Sequence, residues 1–191
     1  MDADGLTFAC ATSAEERVAR RAGLNAVRVG LGVANGVPEG RLVSFGVAGS
    51  LGGLQVGEVV DATRVVDETG TTLWEGPGLG VRGARTGVLL GGAVLVHNAA
   101  QRDELRAASG ADAVDMESGT LARSGRLAGV VRAISDDASS AVEGLDTTIH
   151  ADGRTNVPGL LRWVATQRGD AVRSIRGALR ALKALEEAVA T

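Results

Sequence analysis

Cysteine, histidine and aromatic residues are nearly missing from this chain of 191 residues. Cys10 stands alone, so no intrachain disulfide can form. Phe8, Phe45, Trp74 and Trp163 are the only rings of their kind and Tyr is absent. That leaves too few for the stacking platforms that grip single-stranded nucleic acid. Basic and acidic residues are interspersed and the formal net charge is −3, so no basic face can track a phosphate backbone. Nucleic acid is therefore not expected as a partner. His97 and His150 lie far apart with no cysteine near either, and no metal site or cofactor is expected from them. No apolar run reaches the ~20 residues that a bilayer requires, and the chain starts Met1-Asp2-Ala3-Asp4, acidic where a secretory signal would be basic. The expectation is a cytoplasmic protein with no membrane partner.

What is present is glycine and alternation. The 28 glycines are roughly twice the usual share. Hydrophobic residues make up 45%, an ordinary globular fraction that argues against disorder. Short apolar runs alternate with charged, helix-like ones, which predicts an α/β fold. It should be a single domain over residues 1–191, with three α/β/α layers and a mixed central sheet. Strands are expected at 6–11, 26–31, 41–45, 57–66, 87–97, 113–116 and 129–135. Helices are expected at 14–22, from Asn98 onward with Gln101 completing a capping box, at 117–127, and after Pro158 and Asp170. In the last helix, about residues 170–190, Val172, Ile175, Leu179, Leu182, Leu185 and Val189 recur every three or four residues, a stripe expected to pack on the domain. Residues 33–40, with two Gly and a Pro, make a turn.

Two acids at strand ends are the candidates for chemistry. Glu117 follows the short strand ending Val114-Asp115-Met116 and opens a helix. Asp136 closes the run Val131-Arg132-Ala133-Ile134-Ser135. In open α/β sheets such strand ends face the crevice where ligands bind. Taken alone, Glu117 could equally serve the helix dipole, and Asp136 or Asp137 could cap a turn. Gly78-Leu79-Gly80-Val81-Arg82-Gly83 matches a dinucleotide-binding spacing, but a strand pattern follows it rather than a helix, so it reads as a loop. No G-x-S-x-G elbow is present, which leaves a serine hydrolase unsupported.

The pair Met116-Glu117 and the segment Arg132-Ala133-Ile134-Ser135-Asp136 together resemble the signature of the nucleoside phosphorylase and nucleosidase superfamily. That superfamily includes the methylthioadenosine/S-adenosylhomocysteine nucleosidases and related hopanoid-associated phosphorylases. Further stretches agree in order. Residues 44–51 look like its glycine loop, 87–96 like the strand lining the base pocket, and Ala11-Thr12-Ser13-Ala14-Glu15-Glu16 like the segment bearing a water-activating acid. The resemblance spans roughly residues 6–140, and the chain is short beside the family at 33–40 and 67–86.

The resemblance implies an enzyme that cleaves the N-glycosidic bond of a purine nucleoside or 5′-modified adenosine. Asp136 would be the general acid toward the purine and Glu15 the acid at the attacking water. Glu117 would hold the ribose hydroxyls, with Met116 beneath the sugar and Ser135 beside the acid. Val96 and Leu95 would line the base pocket, and Val47, Ala48 and Gly49 would supply the glycine loop. The nucleophile is expected to be water. Phosphorolytic relatives place an Arg and a Ser where this chain has Ser44 and Val47, and a dianion needs a cation. Phosphate remains the alternative if Arg28 or Arg82 compensates, as does a nucleoside-binding module without activity. The resemblance also implies a homodimer.

Overall fold

A computed structural model describes residues 3–92, 96, 98–136, 150–154, 156 and 168–190. Among the described residues, eight strands and four α-helices follow in chain order: β1 Leu6–Cys10, α1 Ser13–Arg21, β2 Ala26–Arg28, β3 Arg41–Ser50, β4 Val59–Val66, β5 Thr72–Glu75, β6 Arg85–Gly91, α2 Ala99–Ser109, β7 Ala113–Asp115, α3 Ser118–Arg123, β8 Leu127–Asp136 and α4 Arg168–Val189. A single 3₁₀ turn, Leu31–Val33, stands between β2 and β3. The expected strand 87–97 is seen to Gly91; Leu95 and His97, like Pro158 and its expected helix start, lie outside the described residues.

The sheet is mixed, as its sequence alternation predicts. β1 runs parallel to β2 and to β3, and β3 parallel to β8, while β8 and β4 are antiparallel. β4 pairs in parallel with β6, β6 with β7, and β7 returns antiparallel to the end of β3. These pairings close a ring of β3, β8, β4, β6 and β7, with β1–β2 and β5 as appendages.

Alternate residues of the central strands feed two cores. Leu42 and Ala48 of β3 and Val130 and Ile134 of β8 join Leu121 and Ala122 of α3 on one side. Val43, Phe45, Val131 and Ala133 join Val18 and Ala19 of α1 and Ala181, Leu185 and Val189 of α4 on the other. Both faces are thus covered by helix, the three-layer arrangement, and strands buried on both faces need mostly apolar runs, which β3 and β8 carry apart from Ser44 and Arg132.

Several details differ from the sequence reading: β2 ends at Arg28 and not at 31, β5 at Thr72–Glu75 was not expected, and β3, α3 and α4 depart from it as follows. β3 does not stop at Phe45. The presumed glycine loop 46–49 is its second half, because Gly46, Val47, Ala48 and Gly49 are each registered against β8; the turn proper begins at Leu51. The helix expected over 117–127 ends at Arg123, with Gly125 in a left-handed turn before β8. On α4, Leu185 and Val189 are buried as expected. Val172 and Leu179 are instead 43% and 62% exposed, and the inward row is Gly177, Ala181, Leu185 and Val189, a strict four-residue ridge. Gly177 belongs to it because its backbone abuts the Ser135 carbonyl, where a Cβ would collide.

Candidate active site

Thr12 starts α1 by accepting a hydrogen bond from the Glu15 amide, and the Glu15 carboxylate returns one from the Thr12 amide at 2.7 Å. That reciprocal cap explains the local sequence, but it uses one oxygen only. The other, Oε1, accepts from the Val47 amide of β3 at 2.8 Å. Glu15 is 2% exposed. Its neighbour Glu16 is half-buried and pairs with Arg20 at 2.7 Å. Gly46 makes the approach of Glu15 to β3 possible, since a Cβ there would meet the Glu15 carboxylate and stand 2.6 Å from Arg132 Nη1.

Arg132, on β8, organises the other acids. Its guanidinium is 2.8 Å from Asp115 Oδ2 and 3.3 Å from Glu117 Oε2, and it donates to Ser44 Oγ at 2.6 Å and to the Val47 carbonyl at 3.2 Å. Burial works against its charge, but Asp115, Glu117 and Glu15 outweigh that and hold the guanidinium protonated more firmly than usual. Asp115 ends β7 and starts α3. Its Oδ1 accepts from the amides of Glu117 and Ser118 at 3.0 and 2.7 Å, and Ser118 Oγ bonds to its Oδ2. Two orphan amides at the start of α3 are thereby satisfied, and Glu117 is fixed beside Arg132.

Glu117 is 4% exposed. Its Oε1 accepts from the Gly32 amide at 3.0 Å and its Oε2 faces Arg132. Burial pushes its carboxyl up to about 7; Arg132 pulls the other way, and Asp115 and Glu15 add to the rise. The Gly32 amide reaches it because the turn after β2 is left-handed: Gly30 and Gly32 have φ of 77° and 57°, and Val33, a β-branched residue, has φ of 67°. Such a value is uncommon outside glycine and marks local strain. Ala151 braces this turn from outside through Leu31 N to its carbonyl at 3.0 Å, and Gly153 ties the same segment to the start of α1 through Ser13 N at 3.1 Å. Cys10 lies beneath, its thiol pushed up by burial and by Glu15.

Asp136 forms a second cluster at the end of β8. Its Oδ2 receives Arg102 Nη2 at 2.6 Å, and Ser135 Oγ lies 2.8 Å from its Oδ1 and 3.3 Å from the Ala48 carbonyl. Arg102 also donates to the Ser50 carbonyl. Gly49 is the residue that admits Asp136, because a Cβ there would be 2.9 Å from Oδ2.

The structure thus brings Glu15, Glu117 and Val47 into one cluster, and Ala48, Gly49, Ser135 and Asp136 into an adjacent one on the same two strands. Met116 is half-buried beside Glu117. Val96 is partly buried against Leu51, Val66, Leu90, Ala111 and Val114, a separate apolar group, and Leu95 is outside the described residues. The glycines act otherwise than a ligand-cradling loop would suggest: they admit the chain's own carboxylates, and the Val47 amide is taken by Glu15. Three participants escaped the sequence reading. Arg132 sits inside the quoted motif yet reads locally as a strand residue, and Gly32 has no local signal. Arg102 does leave one: it lies on the inward stripe of α2 with Leu105 and Ser109, where an apolar residue is the norm. Of the two arginines considered as phosphate ligands, Arg28 lies 3.9 Å from Glu16, and Arg82 lines a groove with Glu58, Arg85 and Glu187, apart from either cluster.

No protein-family model and no curated protein matches this sequence. Solved structures do share the fold. The 5′-methylthioadenosine/S-adenosyl homocysteine nucleosidase of Helicobacter pylori, crystallised with a pyrrolidine-based ligand, superposes with a TM-score of 0.59 at 16% identity, covering 99% of each chain. Futalosine hydrolase of the same organism gives 0.58 at 16% identity over 96% of each chain. The 5′-methylthioadenosine/S-adenosylhomocysteine nucleosidase of S. pneumoniae, solved with a transition-state inhibitor, gives 0.56 at 15% identity, covering 94% of this chain and 99% of that one. The chain therefore has the nucleoside phosphorylase/nucleosidase fold.

Proposed function

We propose that this protein hydrolyses the N-glycosidic bond of a purine nucleoside or 5′-modified adenosine. The observation that carries the reading is the convergence of three acids from different elements along the paired strands β3 and β8: Glu15 from α1, Glu117 from the start of α3 and Asp136 from the end of β8. Glu15 and Glu117 gather at Gly46–Val47, and Asp136 stands beside Gly49, on a fold shared with nucleosidases. As the C1′–N9 bond breaks, its electron pair passes to the purine and the Asp136 proton to N7. Water bonds to C1′ and gives up a proton to Glu15. Negative charge at Glu117 and Glu15 steadies the positive charge growing on the sugar ring. Glu117 Oε1 holds the ribose hydroxyls in place of the Gly32 amide, while Arg132 keeps Oε2 and fixes the carboxylate. No second oxyanion fits easily here, since Arg132 is committed to Asp115, Glu117 and Ser44, which supports water over phosphate.

The test is release of free base from a panel of 5′-substituted adenosines and inosines, with and without inorganic phosphate. Release independent of phosphate is expected, and strict dependence on it would establish the phosphorylase instead. Asp136→Asn should slow natural nucleosides by about two to three decades, yet spare a p-nitrophenyl riboside, whose leaving group needs no proton. Equal losses on both would remove Asp136 as the acid. One observation favours a second reading: both Glu117 oxygens are engaged within the chain and the residue is 4% exposed. A nucleoside-binding module that lacks turnover would look like this, and it would bind adenosine analogues while releasing no base from any of the panel.

A further inference from the structure

Arg132, Ser44, Ser118 and Asp115 close a ring of polar contacts beside Glu117, and none of the four is more than 5% exposed. Arg132 Nη2 donates to Ser44 Oγ at 2.6 Å, Ser44 Oγ lies 2.9 Å from Ser118 Oγ, and Ser118 Oγ donates to Asp115 Oδ2. The ring closes where Asp115 Oδ2 stands 2.8 Å from Arg132 Nε. That last contact is close but out of line. Among the described residues no acceptor is aligned with the Nε–H, so Asp115 attracts Arg132 by charge without a directed bond. The bonds that orient the guanidinium come from its terminal nitrogens, to Ser44 at 2.6 Å, to the Val47 carbonyl at 3.2 Å and to Glu117 Oε2 at 3.3 Å. The shortest of them goes to Ser44. A serine hydroxyl, rather than a carboxylate, thus sets the tilt of Arg132.

We propose that Ser44 and Ser118 are positioning residues for Glu117, holding Arg132 turned toward it and away from a full pairing with Asp115. The proposal rests on the reading of Glu117 as the acid that binds the sugar. Asp115 lies nearer to the guanidinium than Glu117 does, 2.8 against 3.3 Å. A guanidinium free to turn brings its Nε–H into line with Asp115 Oδ2, gaining a charge-assisted bond, and withdraws Nη2 from Glu117. Two contacts oppose that turn: Ser44 holds Nη2, and Ser118 occupies the same Oδ2 that Nε faces. The division matters because Glu117 is buried and its charge depends on its neighbours. Burial, the largest influence, disfavours the ionised form, and Asp115 and Glu15 add to that; Arg132 and the Gly32 amide favour it. With Arg132 held in place, Oε2 is anchored and Oε1, on the Gly32 amide at 3.0 Å, is the oxygen that exchanges onto the ribose. With Arg132 turned away, the carboxyl keeps its proton to higher pH. A protonated carboxyl accepts fewer hydrogen bonds than an ionised one and holds a pair of vicinal hydroxyls less well.

The experiment compares the parent chain with Ser44→Ala and Ser118→Ala, each of which removes one hydroxyl and adds no bulk. The first readout needs no substrate: the Glu117 carboxyl is titrated by carbon-13 NMR on glutamate-labelled protein, its signal identified as the one lost in Glu117→Gln. The parent midpoint is expected at about 7, and Ser44→Ala should raise it by about one pH unit, with Ser118→Ala moving it the same way. The second readout is kcat/KM for the best nucleoside from about pH 6 to 9. Ser44→Ala should lower it about tenfold at the acid end, as expected for one hydrogen bond to a charged group. The loss should shrink at the alkaline end, where Glu117 is ionised in both proteins. A role confined to packing would instead lower kcat/KM by one factor at every pH. A Glu117 midpoint unmoved or lowered in folded Ser44→Ala, or a loss equal at every pH, overturns the proposal. Should Ser44→Ala fail to fold, Ser118→Ala decides by the same criteria. If no nucleoside is turned over, the hydrolase reading fails, and the titration alone decides whether the serines hold Arg132 to Glu117.

Discussion

At Glu117, burial and charge oppose one another in a way that can be measured. Its carboxyl rises from an ordinary 4.5 to about 7, burial being the chief cause, with Arg132 and the Gly32 amide only partly offsetting it. A carboxyl whose folded value lies above its unfolded one binds a proton more tightly in the native state. Its favourable contribution is therefore complete below about 4.5, declines as pH rises toward about 7, and is absent above. Glu117→Gln removes this titration while keeping the shape. Urea unfolding of both proteins between pH 5 and 8 should show the parent gaining stability relative to Glu117→Gln on acidification; parallel pH profiles would mean that Glu117 titrates alike folded and unfolded. Glu15 was singled out over Glu16 through the resemblance of residues 11–16, while the reciprocal cap it forms with Thr12, three residues before it, went unread although its spacing is local. Arg102 shows locally only as a charge on the inward stripe of α2 and Arg132 not at all, because their partners Asp136 and Glu117 lie 34 and 15 residues away, and no local pattern encodes such a pairing.

Among the elements, those decided by short-range periodicity were read well and those decided by neighbours were not. β8 and β1 follow from mostly apolar runs, and α2 is capped by Asn98, which accepts from the Gln101 amide at 2.9 Å. β3 was cut short because Gly46 and Gly49 look like loop residues, whereas pairing with β8 keeps them extended. The stripe on α4 was misread because leucine suggested an inward face, while the close approach of Gly177 and Ala181 to the sheet turns Leu179 outward. α3 illustrates how tightly an element can be held without large side chains. Gly119, in its first turn, lies against the backbone of Gly91 at the end of β6, and a Cβ on Gly119 would run into the Gly91 carbonyl. Gly119→Ala must therefore push α3 off the sheet, and Glu117, two residues earlier, moves with it. We expect a loss of about 1–3 kcal/mol in urea unfolding, the usual cost of overpacking, together with weaker nucleoside binding. A variant as stable as its parent would show that α3 is free to shift.

For the molecule as a whole, the α/β class and the mixed sheet were legible, but the ring of β3, β8, β4, β6 and β7 was not, since closure depends on which distant strands meet. The turn in place of a helix after β2 was legible from Gly36 and Pro38, and it has a consequence at this scale. The wall over Glu117 is built from residues 30–33, braced through Leu31 by Ala151, and it is thin. Among the described residues no helix is long and apolar enough to cross a membrane. We propose that the protein is a homodimer: pockets of the family it resembles are commonly completed across a subunit interface, a thin wall leaves more to be completed, and two-fold pairs are the commonest assembly. Light scattering at working concentration should then give twice the 19.3 kDa of one chain, and dilution that yields single chains should lower turnover per chain in parallel. A single-chain mass at every concentration, with full activity, would mean that the shortened fold completes its own pocket.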